Sequence, residues 1–291
     1  MQRQFIFEVT VASFGILGIG CGTPFGKDTS SGIEITRISP TPTSNTDTSN
    51  TDASTLIPTL ETNLTYGPKP KTYEVNASGQ YNLALKLEKA GKLTEALPLY
   101  IKAAEQNVRE AQYNLGYMYE HGEGGLPQDI SLAAQWYRKA AGQGLPEAQH
   151  MLGFLCTEGR GVPENYMEAA QWHGKAAAQN FLPAEYQMGV LYALGQGVEI
   201  SAEIAAKWFL QAAEKDLADA QFQIGYRYAK GEGVEQDVIK AYTWLNIAAL
   251  AGNHKGALEA KRDLIRHMKP DQVTAAQIAT AEYLKERKKD D

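Results

Sequence analysis

The chain has 291 residues and a mass of 31.8 kDa, room for one large domain or two ordinary ones with a sizeable core. Hydrophobic residues make up 43% and charged residues 21%, which fits a soluble globular protein and excludes a bundle of membrane spans. A net charge of -6 with a pI near 5.5 argues against nucleic acid as a partner, which needs Lys and Arg gathered on one face, and two cysteines exclude a disulfide framework or a four-cysteine zinc site.

Arg3 precedes an apolar run from Val9 to Gly20. The run is shorter than the roughly 20 residues a spanning helix needs and has the length of a signal-peptide core. Its end, Leu17-Gly18-Ile19-Gly20-Cys21, resembles a bacterial lipoprotein processing box. It departs from that motif in Gly18, where Leu is usual, and in Glu8 close to the apolar run. The resemblance implies a signal peptide at 1–20 and a lipid-bearing Cys21 as mature N-terminus, giving a membrane anchor in the bacterial cell envelope; several acyl chains hold where one does not. An ordinary cleaved signal, with secretion, is the alternative. Residues 22–75 read as a flexible linker. Between Ser39 and Thr55, 16 of 17 residues are Ser, Thr, Pro, Asn or Asp, too little apolar surface to offset the entropy of ordering. Such a linker holds a domain on the order of 40 Å from its origin.

From Tyr81 to Gln106 the pattern is a short helix pair: Leu83, Ala84 and Leu87 precede a turn at Gly91 and Lys92, and Ala96, Tyr100, Ala103 and Ala104 follow it. Tyr81 and Tyr113 are 32 residues apart, near the roughly 34 of a tetratricopeptide hairpin, so residues 76–108 are expected to be a hairpin that caps an array.

The array itself is written in tryptophan. Trp136, Trp172, Trp208 and Trp244 lie 36 residues apart, and Ala148, Ala184 and Ala220 repeat in register with Gly153, Gly189 and Gly225. Ala111 and Gly116 lie 37 residues before their counterparts because Gly125 is inserted. A fixed period of this size marks a solenoid, with units at 109–145, 146–181, 182–217 and 218–253. In each unit a first helix with apolar residues at helical spacing, as at 111, 115, 118 and 119, stops at a Gly-x-Gly loop: Gly122 and Gly124, Gly159 and Gly161, Gly195 and Gly197, Gly231 and Gly233. A second helix opens at Asp129, Asn165, Ser201 and Asp237, side chains that accept hydrogen bonds from first-turn amides. It closes at Gly144, Asn180, Asp216 and Gly252, residues that tolerate a left-handed backbone. Small residues at Ala111, Gly116, Ala133 and Ala140 permit close helix crossings, and the four tryptophans, with Tyr119, are expected to fill the remaining volume as a buried ladder. On that reading Trp172→Ala costs about 3 to 5 kcal/mol. After the array, residues 254–287 read as capping helices, the last opening at Pro270, which suits a first turn, and ending near Glu286.

Ala-Gln-Tyr-Asn-Leu-Gly-Tyr-Met-Tyr at 111–119, the glycine loops and Ala-Ala-Gln-Trp-Tyr-Arg-Lys-Ala-Ala at 133–141 resemble the Sel-one-like repeat family, relatives of tetratricopeptide repeats, over residues 109–253. Departures are local: Cys156 replaces the tyrosine of Tyr119, Tyr192 and Tyr228, and Gly125 lengthens one loop. The resemblance implies an all-α, right-handed solenoid of about six stacked antiparallel helix hairpins, monomeric, acting as an adaptor through protein contacts. Cysteine-rich relatives are credited with β-lactam hydrolysis, an enzyme alternative weakened here because Cys156 stands without a repeat-borne partner; a secreted host-facing effector is a third reading.

Little in the sequence suggests chemistry. The histidines at 121, 150, 173, 254 and 267 include no pair at metal spacing on one helix face, so no metal or cofactor is expected. His173 occupies the column of Tyr137, Phe209 and Leu245 and is expected to pack, as is Cys156. The glycine loops lack the Gly-Lys-Ser/Thr of a phosphate cradle. One stripe suggests binding: Tyr113 and Tyr117, His150 and Phe154, Tyr186 and Val190, Phe222 and Tyr226 lie on the face of each first helix opposite the core positions. In solenoids such helices line a concave surface, where aromatics anchor a protein or peptide partner; packing against the adjacent hairpin is the competing expectation.

Overall fold

The computed structural model describes residues 76–251 and 254–287; the expected signal peptide at 1–20, Cys21, the expected linker at 22–75 and Gly252 lie outside them. Among the described residues all regular structure is helical. Five hairpins, α1 (Ala77–Lys89) with α2 (Leu93–Glu105), α3 (Arg109–His121) with α4 (Ile130–Gly142), α5 (Pro146–Glu158) with α6 (Tyr166–Ala177), α7 (Leu182–Leu194) with α8 (Ala202–Glu214), and α9 (Ala218–Lys230) with α10 (Val238–Leu250), are followed by α11 (Lys255–Ile265) and α12 (Pro270–Arg287). Each second helix packs on the first helix of the next hairpin, so the stack is a solenoid.

The punctuation acts as its chemistry requires. Asp129, Asn165, Ser201 and Asp237 accept from the amides of Leu132, Glu168, Ile204 and both Ile239 and Lys240. Asn107, Gly144, Asn180 and Asp216 all carry positive φ, between 61° and 83°, and turn the chain from one hairpin into the next. Asn107 brings the first hairpin into the same column. The second loop glycine serves a close approach: a Cβ on Gly197 would strike the Tyr166 carbonyl, at the start of the preceding second helix.

A second lock joins successive hairpins. Gln112, Gln149 and Gln221, buried near the starts of their helices, donate to the carbonyls of Ala104, Ala141 and Ala213 at 3.0 to 3.2 Å. Gln143 and Gln179 then donate to Gln112 and Gln149 at 2.7 and 2.8 Å. In the 182–217 unit both members change together: Glu185, fully buried, takes Lys215 and Gln211 as donors. In the last unit Ala251 stands where the donor would be, and Gln221 Oε1 is left without a partner.

The tryptophans do not form a buried ladder. Trp136, Trp172 and Trp208 are half-buried, and Trp244 alone is buried, at 8% exposure. The interior column is the next residue along the helix: Tyr137, His173, Phe209 and Leu245 are each no more than 1% exposed. Each presses on the helical glycine of its own hairpin, so that a Cβ on Gly116, Gly153, Gly189 or Gly225 would come within 2.7 to 2.9 Å of that side chain. One residue of helix is 100° of rotation, enough to carry a side chain from the hairpin interior to its flank. On that flank Lys139 and Lys175 lie over the rings of Trp136 and Trp172 at 3.8 and 3.9 Å. Trp244 is covered because α12 turns back onto α10, setting Tyr283 edge-on at 5.2 Å, while Arg287 reaches the Glu214 carbonyl and Asp216.

Candidate partner-binding surface

The aromatic stripe on the first helices divides into two tiers four residues apart. The tier nearer the helix starts is rooted in the core. Tyr113 sits on Tyr137 and Tyr186 on Phe209, each with centroids 5.5 Å apart; His150 sits on His173 at 5.0 Å, and Phe222 stacks on His254 at 4.8 Å. These four are half-buried, and burial pushes the Tyr186 hydroxyl above its ordinary pKa. For this tier the packing expectation describes the contacts.

The second tier is Tyr117, Phe154, Val190 and Tyr226. Tyr117 is 39% exposed and stacks on His121 at 4.0 Å; Phe154, Val190 and Tyr226 are half-buried. Lys230 extends over the Tyr226 ring at 5.9 Å. Desolvation, then nearby Glu123 and Glu120, raise the Tyr117 hydroxyl; desolvation, then Glu232, raise that of Tyr226. Both phenols therefore stay protonated and can donate. One turn further along α7, Leu194 is 59% exposed and extends the row. Periodicity missed it because the same column holds His121, Glu158 and Lys230 in the other units. A second apolar edge was equally illegible: Met167 and Ile200 are each 67% exposed, and the seating of the Gly197 loop on the start of α6 places them at the same end of adjoining hairpins.

The remaining candidate groups are absorbed by structure. His254 caps α11, accepting from the Ala257 amide at 3.0 Å and facing Asp219 at 3.2 Å. His121 bonds the Tyr117 carbonyl of its own helix, and His267, in the turn after α11, bonds the Asp263 carbonyl. Cys156 is fully buried and its thiol is pushed up to about 11 by desolvation, the opposite of what a nucleophile needs. Among the described residues no three His, Cys, Asp or Glu side chains gather as a metal site, and no helix is long and apolar enough to cross a membrane.

Short hairpins stacked through glycine loops and glutamine locks, presenting a row of aromatics from successive first helices, define a helical-repeat solenoid of the tetratricopeptide-like kind. The Sel1 repeat pattern matches residues 77–108, 109–145, 146–181, 182–217 and 218–253, and the chain belongs to the Sel1 repeat family. It is similar to the crystal structure of c5321, a protective antigen of uropathogenic Escherichia coli strains displaying an SLR fold, with 30% identity and a TM-score of 0.66 over 72% of this chain. The match takes in 46% of that antigen, so this chain spans under half its length. A Sel1 repeat protein from Oxalobacter formigenes is 34% identical, with a TM-score of 0.59 over 62% of this chain and 75% of the other. The curated proteins contain no match.

Proposed function

We propose that the array is a non-catalytic scaffold that captures a partner protein or peptide along Tyr117, Phe154, Val190 and Tyr226. Sel1 repeat proteins are typically non-catalytic scaffolds, and their repeat fold generally mediates protein contacts. One observation carries the choice of surface. The first aromatic tier stacks on rings of neighbouring elements, whereas the second presents Tyr117 at 39% exposure beside the half-buried rings of Phe154 and Tyr226, with Val190 packed against the core between them in the row. Rings held in place before binding lose little entropy on contact, which makes them good anchors. Tyr117→Ser with Phe154→Ser and Tyr226→Ser is expected to abolish partner recovery by cross-linking in cells while the chain keeps its helical content and a cooperative unfolding transition, at a lowered midpoint; undiminished recovery overturns the assignment.

We further propose that the scaffold is tethered in the bacterial envelope by lipid on Cys21. The processing box at Leu17–Cys21 and the polar stretch after it support this reading. Cys21→Ser is expected to release the protein from membranes and end labelling with fatty acid; membrane retention without wild-type labelling sinks the tether.

A further inference from the structure

The hairpin of α5 and α6 differs from both neighbours at one interior contact. Where they set Tyr113 on Tyr137 and Tyr186 on Phe209, it sets His150 on His173. His173 is 1% exposed and lies on Gly153; His150 is wedged between it and Phe181, whose centroid is 5.5 Å away. The Nδ1 atoms of both rings are buried and have no hydrogen-bond partner.

The surrounding elements supply no counterion. On α5, Glu147 lies one turn before His150 and its Oε2 has no hydrogen-bond partner, yet no ion pair joins the two; Cys156 is a buried thiol. On α6, Glu168 is taken by Arg138 and the Trp172 indole, and Lys175 lies over Trp172. On α4, Tyr137 donates to Glu120 at 2.9 Å. On α7, Glu185 is held by Lys215 and Gln211, and Tyr186 faces Phe209. Desolvation pushes His150 down to about 4; desolvation, then the neighbouring His150, push His173 down to about 3. Both rings are neutral in the folded hairpin at neutral pH. The unfolded segment takes up protons below the ordinary value of about 6.5, which the folded hairpin refuses until the depressed values are reached. Stability is therefore full above about 6.5 and is lost as pH falls from there toward 4 and then 3.

We propose that the His150–His173 pair is an acid-operated joint: on acidification the hairpin at 146–181 opens before its neighbours, dividing the array and removing Phe154 from the binding row. Division follows because each repeat touches only its neighbours. Release of a partner on acidification rests on the binding surface proposed above, whereas the opening does not.

Amide hydrogen exchange of the full chain at about pH 7.5 and about pH 5, corrected for intrinsic exchange, tests the joint. Opening of α5 and α6 is expected to increase on the order of tenfold or more per histidine, with α3, α4, α7 and α8 changing less. His150→Tyr with His173→Phe copies the Tyr186–Phe209 contact and is expected to remove the excess; His173→Phe alone removes part of it. Equal acid sensitivity in all hairpins, or an undiminished effect in the double variant, overturns the joint. Acid opening as expected, with partner recovery unaffected by the serine substitutions, refutes the binding surface and leaves the joint standing.

Discussion

Two columns of the second helices, one residue apart, differ in nearly every physical respect. The tryptophan column repeats without a substitution at 136, 172, 208 and 244, yet its rings lie on the flank, three of them half-exposed. The next column varies freely, as Tyr137, His173, Phe209 and Leu245, and is buried on the helical glycines. The difference shows that constancy along a repeat does not measure burial. A close glycine contact asks only for bulk of some shape, so the interior tolerates ring, imidazole or aliphatic. The flank ring meets a lysine in two units, Lys139 over Trp136 and Lys175 over Trp172, but the same column holds Gln211 and Ile247 in the others, so this contact does not account for the tryptophan in every unit.

Substitutions can break or sharpen this contrast. The largest loss is expected from Phe209→Ala, which empties a buried volume against Gly189 and should cost about 3 to 5 kcal/mol in chemical denaturation. Lys215→Ala comes next. It strips a donor from the fully buried Glu185, and the partial exposure of Lys215 limits the loss to about 2 kcal/mol; adding Glu185→Gln should recover much of it. Trp172→Ala is expected to cost only about 1 to 2 kcal/mol, as for a half-buried ring, less than Trp244→Ala, whose ring also holds Tyr283 of α12. A Trp172 variant that unfolds as readily as the Phe209 variant would erase the distinction between the columns. The smallest effect is a gain: Ala251→Gln supplies the donor that Gln221 Oε1 lacks, and should raise the unfolding midpoint by the equivalent of about 0.5 to 1 kcal/mol.

Much of this was legible before any coordinates. The N-caps at Asp129, Asn165, Ser201 and Asp237, the left-handed closures at Gly144, Asn180 and Asp216, and the close approach at Gly116 and its counterparts follow from local chemistry at fixed spacing. The buried ladder was misplaced by one residue because periodicity gives the repeat of a face, and two adjacent residues 100° apart share that repeat. The split of the aromatic stripe was hidden for the same reason: Tyr113 and Tyr117 lie on one helical face, and only the position of Tyr137 and its equivalents separates a packed ring from an open one. The return of α12 onto α10 has no periodic signal, since it occurs once.

By itself the sequence determined the unit, its two helices, their ends and the order in which they stack, because caps, glycines and loop lengths act within a few residues. Tertiary structure decided which large side chain enters the hairpin, which aromatic stays at the surface, which tryptophan is covered and which histidines meet without a counterion. Those outcomes depend on the neighbouring hairpin's position, and a contact between residues far apart in the chain exists only once the helices have packed.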